Sequence, residues 1–177
     1  SQRGADDYAA LGISLDRIFV AHNAVAPRPA EFSPRPVPET PITIIFVGRL
    51  QARKRIDDLL HACASLPKDL QPNVLIVGEG PERECLESLG REVYSQAEFT
   101  GAKHGAELSS LWERADLFVL PGTGGLAIQE AMAYGLPVIV AKGDGTQDDL
   151  VRDGNGWQIP PDDLGALKET LEFALSD

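Results

Sequence analysis

Two stretches of this chain hold the residue types that a phosphate-bearing ligand requires. The first is Gly48-Arg49-Leu50-Gln51-Ala52-Arg53-Lys54-Arg55, where four cations fall within seven residues of a chain with formal net charge −11. A glycine there lets backbone approach a ligand closely. Arg49 can grip a phosphate with two donors, and Lys54 can add a point charge. One opposite-charge pair at about 4 Å is worth about 4 kcal/mol of gross Coulomb energy at an effective dielectric of 20. The competing reading is a solvated basic helix start. The second stretch is Pro121-Gly122-Thr123-Gly124-Gly125-Leu126-Ala127, which runs into a helical period. Its glycines expose amide donors, and Thr123 is placed to cap the helix. Glu130 follows inside the apolar run Ala127–Ala133, so it is expected to face something specific.

Three further loops are weaker. Gly78-Glu79-Gly80-Pro81 reads as a turn with Pro81 at the first helical position; Arg83 stands where a dinucleotide fingerprint would need its third glycine. The stretch Thr100-Gly101-Ala102-Lys103-His104-Gly105 could pack against a base, with His104 solvated. Gly143-Asp144-Gly145 reads as a flexible turn with an aspartate cap.

These loops need strands and helices to position them. Short apolar runs recur at Ile42–Val47, Val74–Val77, Ala97–Thr100, Leu117–Leu120, Pro137–Ala141 and Trp157–Ile159. Between them lie helical spacings such as Ile56, Leu59, Leu60, Cys63 and Leu164, Leu167, Leu171. Runs apolar on both faces imply a parallel sheet covered by helices on each side. The fold class expected is therefore α/β: a Rossmann-like, doubly wound parallel sheet of about six strands. Ligands bind such sheets beyond the carboxyl ends of the strands, so the loops above are the ones that matter.

Residues 1–41 read differently. A short helix, Asp6 to Leu11, and an apolar run, Arg17 to Ala21, precede six prolines between residues 27 and 41. That proline density implies an extended linker. The domain boundary is expected between 1–41 and 42–177. With Ser1 first and Met132 the only methionine, the chain reads as an excised fragment or a processed product.

Composition narrows the function. The 177 residues are 43% hydrophobic but only 6% aromatic. An acidic, aromatic-poor chain is unsuited to a nucleic-acid partner. No apolar run approaches the roughly 20 residues of a membrane span. Cys63 and Cys85 read as small buried apolar residues in a reducing, cytoplasmic compartment.

Taken together, IIFVGRLQARKRIDDLLHA, VLIVGEGPERECLESL, AEFTGA, ADLFVLPGTGGLAIQEAMAYGLPVIVA and LVRDGNGWQIPPDD resemble the C-terminal, donor-binding domain of GT-B glycosyltransferases, closely family four. The segment GISLDRIFVAHNAV resembles the end of the N-terminal domain. The resemblance implies that Arg49 and Lys54 bind the donor diphosphate after Gly48. It implies that Glu130, the second glutamate of the E-x7-E motif, meets the nucleotide ribose. Gly124, Gly125, Leu126 and Ala127 would meet phosphate and sugar, with Thr123 beside them. Gly101 and Lys103 would lie by the base. Two positions depart from the family: Gly122 stands where its first motif glutamate would be, and Arg55 replaces a usual glycine, reading as another cation.

The implied function is retaining sugar transfer from a nucleoside diphosphate to an acceptor hydroxyl, in a context such as surface polysaccharide synthesis. Arg49, Lys54 and Glu130 are the residues expected to carry it, with no metal and no cofactor. The acceptor, a sugar or lipid-linked sugar, would be held by the N-terminal half, which leaves this fragment inactive alone. The full-length enzyme would be cytoplasmic, with the inner face of the membrane a further setting. The alternatives are a GT-B epimerase or phosphorylase, a dinucleotide oxidoreductase domain, and a non-catalytic binding module.

Overall fold

A computed structural model describes residues 1–21, 24–25, 41–143 and 145–176. The proline linker expected before residue 42 lies almost wholly outside the described residues. Among these, six strands form one parallel sheet in the order β3-β2-β1-β4-β5-β6. They are β1 Thr43–Val47, β2 Asn73–Val77, β3 Ala97–Gly101, β4 Leu117–Leu120, β5 Val138–Ala141 and β6 Gly156–Ile159. Each lies within a residue of the apolar run that predicted it. The helices are α1 Gln2–Ala10, α2 Ile56–Ala64, α3 Arg83–Val93, α4 Gly105–Arg114, α5 Ala127–Ala133, α6 Thr146–Leu150 and α7 Leu164–Ser176.

The central strands carry the core. Ile44, Ile45 and Phe46 of β1 and Phe118 and Val119 of β4 are fully buried. They form continuous apolar runs because helices cover both faces. The edge strands differ: β3 and β6 are largely half-buried, since each has one side open. The helix α2 buries Ile56, Leu59, Leu60 and Cys63 on one face, as its spacing predicts. In α7, Leu167 and Leu171 are buried while Leu164 is 41% exposed at the first turn.

Several local expectations change. The first helix starts at Gln2, not Asp6, with the Ser1 hydroxyl accepting from the Gly4 N–H. The apolar run Arg17–Ala21 forms no strand, and Phe19 is 88% exposed. Helix α3 begins at Arg83, so Pro81 belongs to the turn before it. The cap of α6 is Gly145; Asp144 lies outside the described residues. Cys63 is buried as expected, but Cys85 is exposed on α3. No helix among the described residues is long and apolar enough to cross a membrane.

Candidate functional site

Strands β1 and β4 are neighbours, although β2 and β3 come between them in sequence. Strand order reverses there, and the loops leaving the two carboxyl ends bound the crevice that such folds use for ligands. After β1 the chain passes Gly48 and Arg49 into a 3-10 turn, Ala52–Lys54, that leads to α2. After β4 it passes Pro121 to Leu126 into α5.

The two loops are stitched together. The Lys54 ammonium donates to the Thr123 carbonyl at 2.6 Å and also to the Gly124 carbonyl. The Thr123 N–H donates to the Arg53 carbonyl at 3.0 Å. The Arg53 guanidinium donates to the Thr123 hydroxyl at 3.2 Å. Lys54 is only 7% exposed. Burying an ammonium is costly, and the two carbonyls offset that cost. Thr123 therefore does not cap α5. Its hydroxyl is taken by Arg53, and the helix starts at Ala127 with no side-chain cap. The N–H groups of Gly124, Gly125, Leu126 and Ala127 donate to no backbone acceptor among the described residues.

Gly122 explains how the loops can come so close. A Cβ there would stand 2.1 Å from the Arg53 carbonyl oxygen and 2.6 Å from Lys54 Cα. Backbone fills the place where any side chain would begin, so the position holds no glutamate. Arg55 is also resolved by backbone. It adopts the left-handed conformation, with φ of 54°, which suits the glycine that the family resemblance implies there. It is not a spare cation. Its guanidinium meets Asp58 at 2.7 Å, Asp57 at 3.8 Å and also Asp162. The Asp58 hydrogen bond, against some desolvation, holds the Arg55 guanidinium above its ordinary value.

The loops after β1, β2 and β3 pack backbone on backbone. Gly48 N–H donates to Val77 O at 3.0 Å, and Gly78 N–H to Gly101 O at 2.9 Å. Leu50 N–H donates to Glu79 O at 2.8 Å, and Glu82 N–H returns to Leu50 O at 3.2 Å. Gly78 and Gly80 permit this: a Cβ on either would lie 1.9 Å or 2.1 Å from the Gly48 or Leu50 carbonyl oxygen. The Gly78–Pro81 turn is thus a support for the Arg49 loop.

The predicted site residues separate into groups. Lys54, Thr123 and Gly124 are joined, with a Cβ on Gly125 standing 3.5 Å from the Lys54 ammonium. Arg49 is exposed at the end of β1, and Glu130 is half-buried on α5; neither side chain has a hydrogen-bond or ion-pair partner among the described residues. Gly101 is buried, with φ of 75°. Lys103 turns to Glu107 at 3.3 Å on the first turn of α4. His104 is exposed just before that helix. Sequence reasoning missed the part played by Arg53, whose guanidinium donates to the Gln51 side chain at 3.0 Å as well as to the Thr123 hydroxyl. It also missed Gln147, fully buried on α6 with neither amide atom paired among the described residues.

A six-stranded parallel sheet in this order, with helices on both faces and the β1 and β4 loops joined at its switch point, is a Rossmann-like α/β domain. The family of glycosyl transferases group 1 matches residues 27–177, and the chain belongs to that family. It is 33% identical over 175 residues to a "Putative colanic acid biosynthesis glycosyltransferase WcaL" of Escherichia coli (strain K12), covering 91% of this chain and 43% of that protein. It is 41% identical over 133 residues to a "GDP-mannose-dependent alpha-mannosyltransferase" of Corynebacterium glutamicum, covering 73% of this chain and 29% of that one. The fold matches the apo lipopolysaccharide outer core galactosyltransferase WaaB with a TM-score of 0.82 at 23% identity, covering 97% of this chain and 50% of that one. The chain thus spans half or less of these proteins and has the fold of the C-terminal part of a GT-B glycosyltransferase.

Proposed function

We propose that this chain is the donor half of a retaining glycosyltransferase that moves a sugar from a nucleoside diphosphate to an acceptor hydroxyl. The observation that carries the reading is the joining of the β1 and β4 loops at the switch point, which sets cations beside unpaired amides. As the bond between the anomeric carbon and the diphosphate oxygen breaks, negative charge grows on the leaving group. Arg49, Lys54 and the amides of Gly124 to Ala127 meet it with fixed positive potential, in place before reaction. The acceptor oxygen bonds to the anomeric carbon on the face the diphosphate leaves, and its proton passes to the departing diphosphate oxygen. Glu130 accepts from the ribose hydroxyls, and the loop of Gly101 and Lys103 lies towards the base. No step draws on a metal.

Residues 1–41 belong, in this reading, to the end of an acceptor domain and its linker. The acceptor, a sugar or lipid-linked sugar, sits on segments the longer relatives have. The isolated chain therefore binds donor and transfers nothing. The relative of Escherichia coli named for colanic acid biosynthesis favours a cytoplasmic step in surface polysaccharide assembly.

Calorimetric titration with uridine, guanosine and adenosine diphosphates and with inorganic pyrophosphate tests the site. Arg49→Ala should weaken both nucleotide and pyrophosphate. Glu130→Gln should weaken the nucleotides by about tenfold, one charge-assisted hydrogen bond, and leave pyrophosphate unchanged. Unaltered diphosphate affinity in Arg49→Ala would remove the assignment.

A further inference from the structure

Among the described residues, only Arg55 and Asp162 take a positive φ without being glycine, at 54° and 55°. Each stands at a corner where the chain turns into a helix. Arg55 closes the 3-10 turn Ala52–Lys54 and opens α2. Asp162 precedes Asp163, whose side chain accepts from the Ala166 N–H at 2.9 Å at the start of α7. The two helices pack side by side, and the two left-handed residues meet in an ion pair. Left-handed backbone is unfavourable for residues with a side chain, more so for arginine than for aspartate. Arg55 therefore needs contacts that hold it there. Asp57 and Asp58 supply them from within α2, and Asp162 supplies one from another element. The corner matters because Lys54 is the residue before it. The Arg55 N–H donates to the Ala52 carbonyl at 3.0 Å, closing the turn from which Lys54 reaches the β4 loop.

We propose that Arg55 and Asp162 are positioning residues for donor binding: their ion pair braces the corner behind Lys54, so that its ammonium stands beside Arg49 where the diphosphate arrives. Neither residue of the pair touches the ligand. This deepens the reading above and rests on it, with Arg49 and Lys54 still the cations that meet the leaving group. It gives the turn after β6, an edge strand, a part in a site built on β1 and β4.

Bracing and simple charge predict opposite signs. Asp162 is an exposed anion beyond the carboxyl end of β6, the side where ligands bind. Acting by charge alone, its removal would tighten an anionic ligand. Acting as a brace, its removal loosens one. Calorimetric titration of inorganic pyrophosphate into the 177-residue chain and into Asp162→Asn, at one salt concentration, separates the two. Asparagine accepts the left-handed region as aspartate does, so the anion alone is lost. Affinity should fall about threefold, the scale of one exposed ion pair, in a chain that still melts cooperatively. In an Arg55→Met background the same Asp162→Asn change should no longer weaken binding. Unchanged or tighter binding in Asp162→Asn overturns the brace. Equal weakening in both backgrounds overturns it as well, since Asp162 would then act without Arg55. Pyrophosphate affinity that survives Arg49→Ala intact is a different failure, that of the functional reading itself.

Discussion

At the residue scale, Gly122 and Arg55 answer the two departures from the family pattern in the same terms. Neither is free to be what the resemblance implies there. At 122 the Arg53 carbonyl occupies the Cβ position. Gly122→Ala should cost about 1–3 kcal/mol by forcing backbone apart. Thermal denaturation should report a drop of about 2–4 °C per kcal/mol in a domain of this size. Gly122→Glu, which would restore the motif, should therefore lower donor affinity in titration; a gain would show that the loops part without cost. At 55 two effects oppose each other. A left-handed arginine costs about 1–2 kcal/mol, which glycine would recover. Yet glycine strands Asp58, only 8% exposed, without the guanidinium 2.7 Å away. Leaving a buried charge unpaired costs about 3–5 kcal/mol in full burial and less here. Arg55→Gly is expected to be net destabilising, and Arg55→Gly with Asp58→Ala should recover part of the loss. Equal stability of the two variants in urea denaturation would mean that the pair is idle.

At the element scale, strands and loops were legible to different degrees. Parallel strands buried on both faces need continuous apolar residues, so β1, β2, β4 and β5 announce themselves by composition alone. The half-buried edge strands β3 and β6 are legible as shorter apolar runs set between helical periods. Loop positions were not legible in the same way. A glycine in sequence does not say whether it serves a positive φ, a ligand or another backbone. Gly80 looked like part of a helix-starting turn, yet its missing Cβ makes room for the Leu50 carbonyl, next to Arg49. Thr123 had the right type and place for a cap, but Arg53, 70 residues earlier, took its hydroxyl. Local chemistry is read from sequence; the partner across the sheet rim is not. Gly80→Ala is thus expected to act at a distance. It should break the Leu50–Glu79 and Glu82–Leu50 bonds, destabilise by about 1–3 kcal/mol and weaken diphosphate binding through the Arg49 loop. Calorimetry that finds full affinity in a folded Gly80→Ala chain would show that the β1 loop needs no support from its neighbour.

At the scale of the whole molecule, the first helix closes against the last third of the chain. Gln2 N–H donates to Asp149 at 2.9 Å, and the Arg3 guanidinium to the Gly143 carbonyl at 3.2 Å. Nothing in composition pairs residues so far apart in sequence. The core, by contrast, follows from the periodicities, and it sets how stability answers pH. Burial pushes the Cys63 thiol up to about 12. Burial, and then the Cys63 charge, also raises the Tyr94 phenol, whose hydroxyl donates to the Pro72 carbonyl at 2.5 Å. Both groups hold their protons more tightly when folded than when unfolded. Above the ordinary thiol range the unfolded chain therefore binds fewer protons than the folded one, and stability falls as pH rises. The contribution is fully present below that range and drains as pH climbs towards about 12. Urea midpoints should hold steady near neutrality and then fall with alkali at constant slope. In Cys63→Ala the neutral-pH stability is lower by the lost packing, but the alkaline fall is shallower, because Tyr94 alone remains. The same burial predicts thiol behaviour: iodoacetamide should modify exposed Cys85 in the native chain and reach Cys63 only on unfolding. An alkaline fall as steep in Cys63→Ala as in the native chain, or equal alkylation of the two thiols under native conditions, would show that α2 does not seal the core at Cys63.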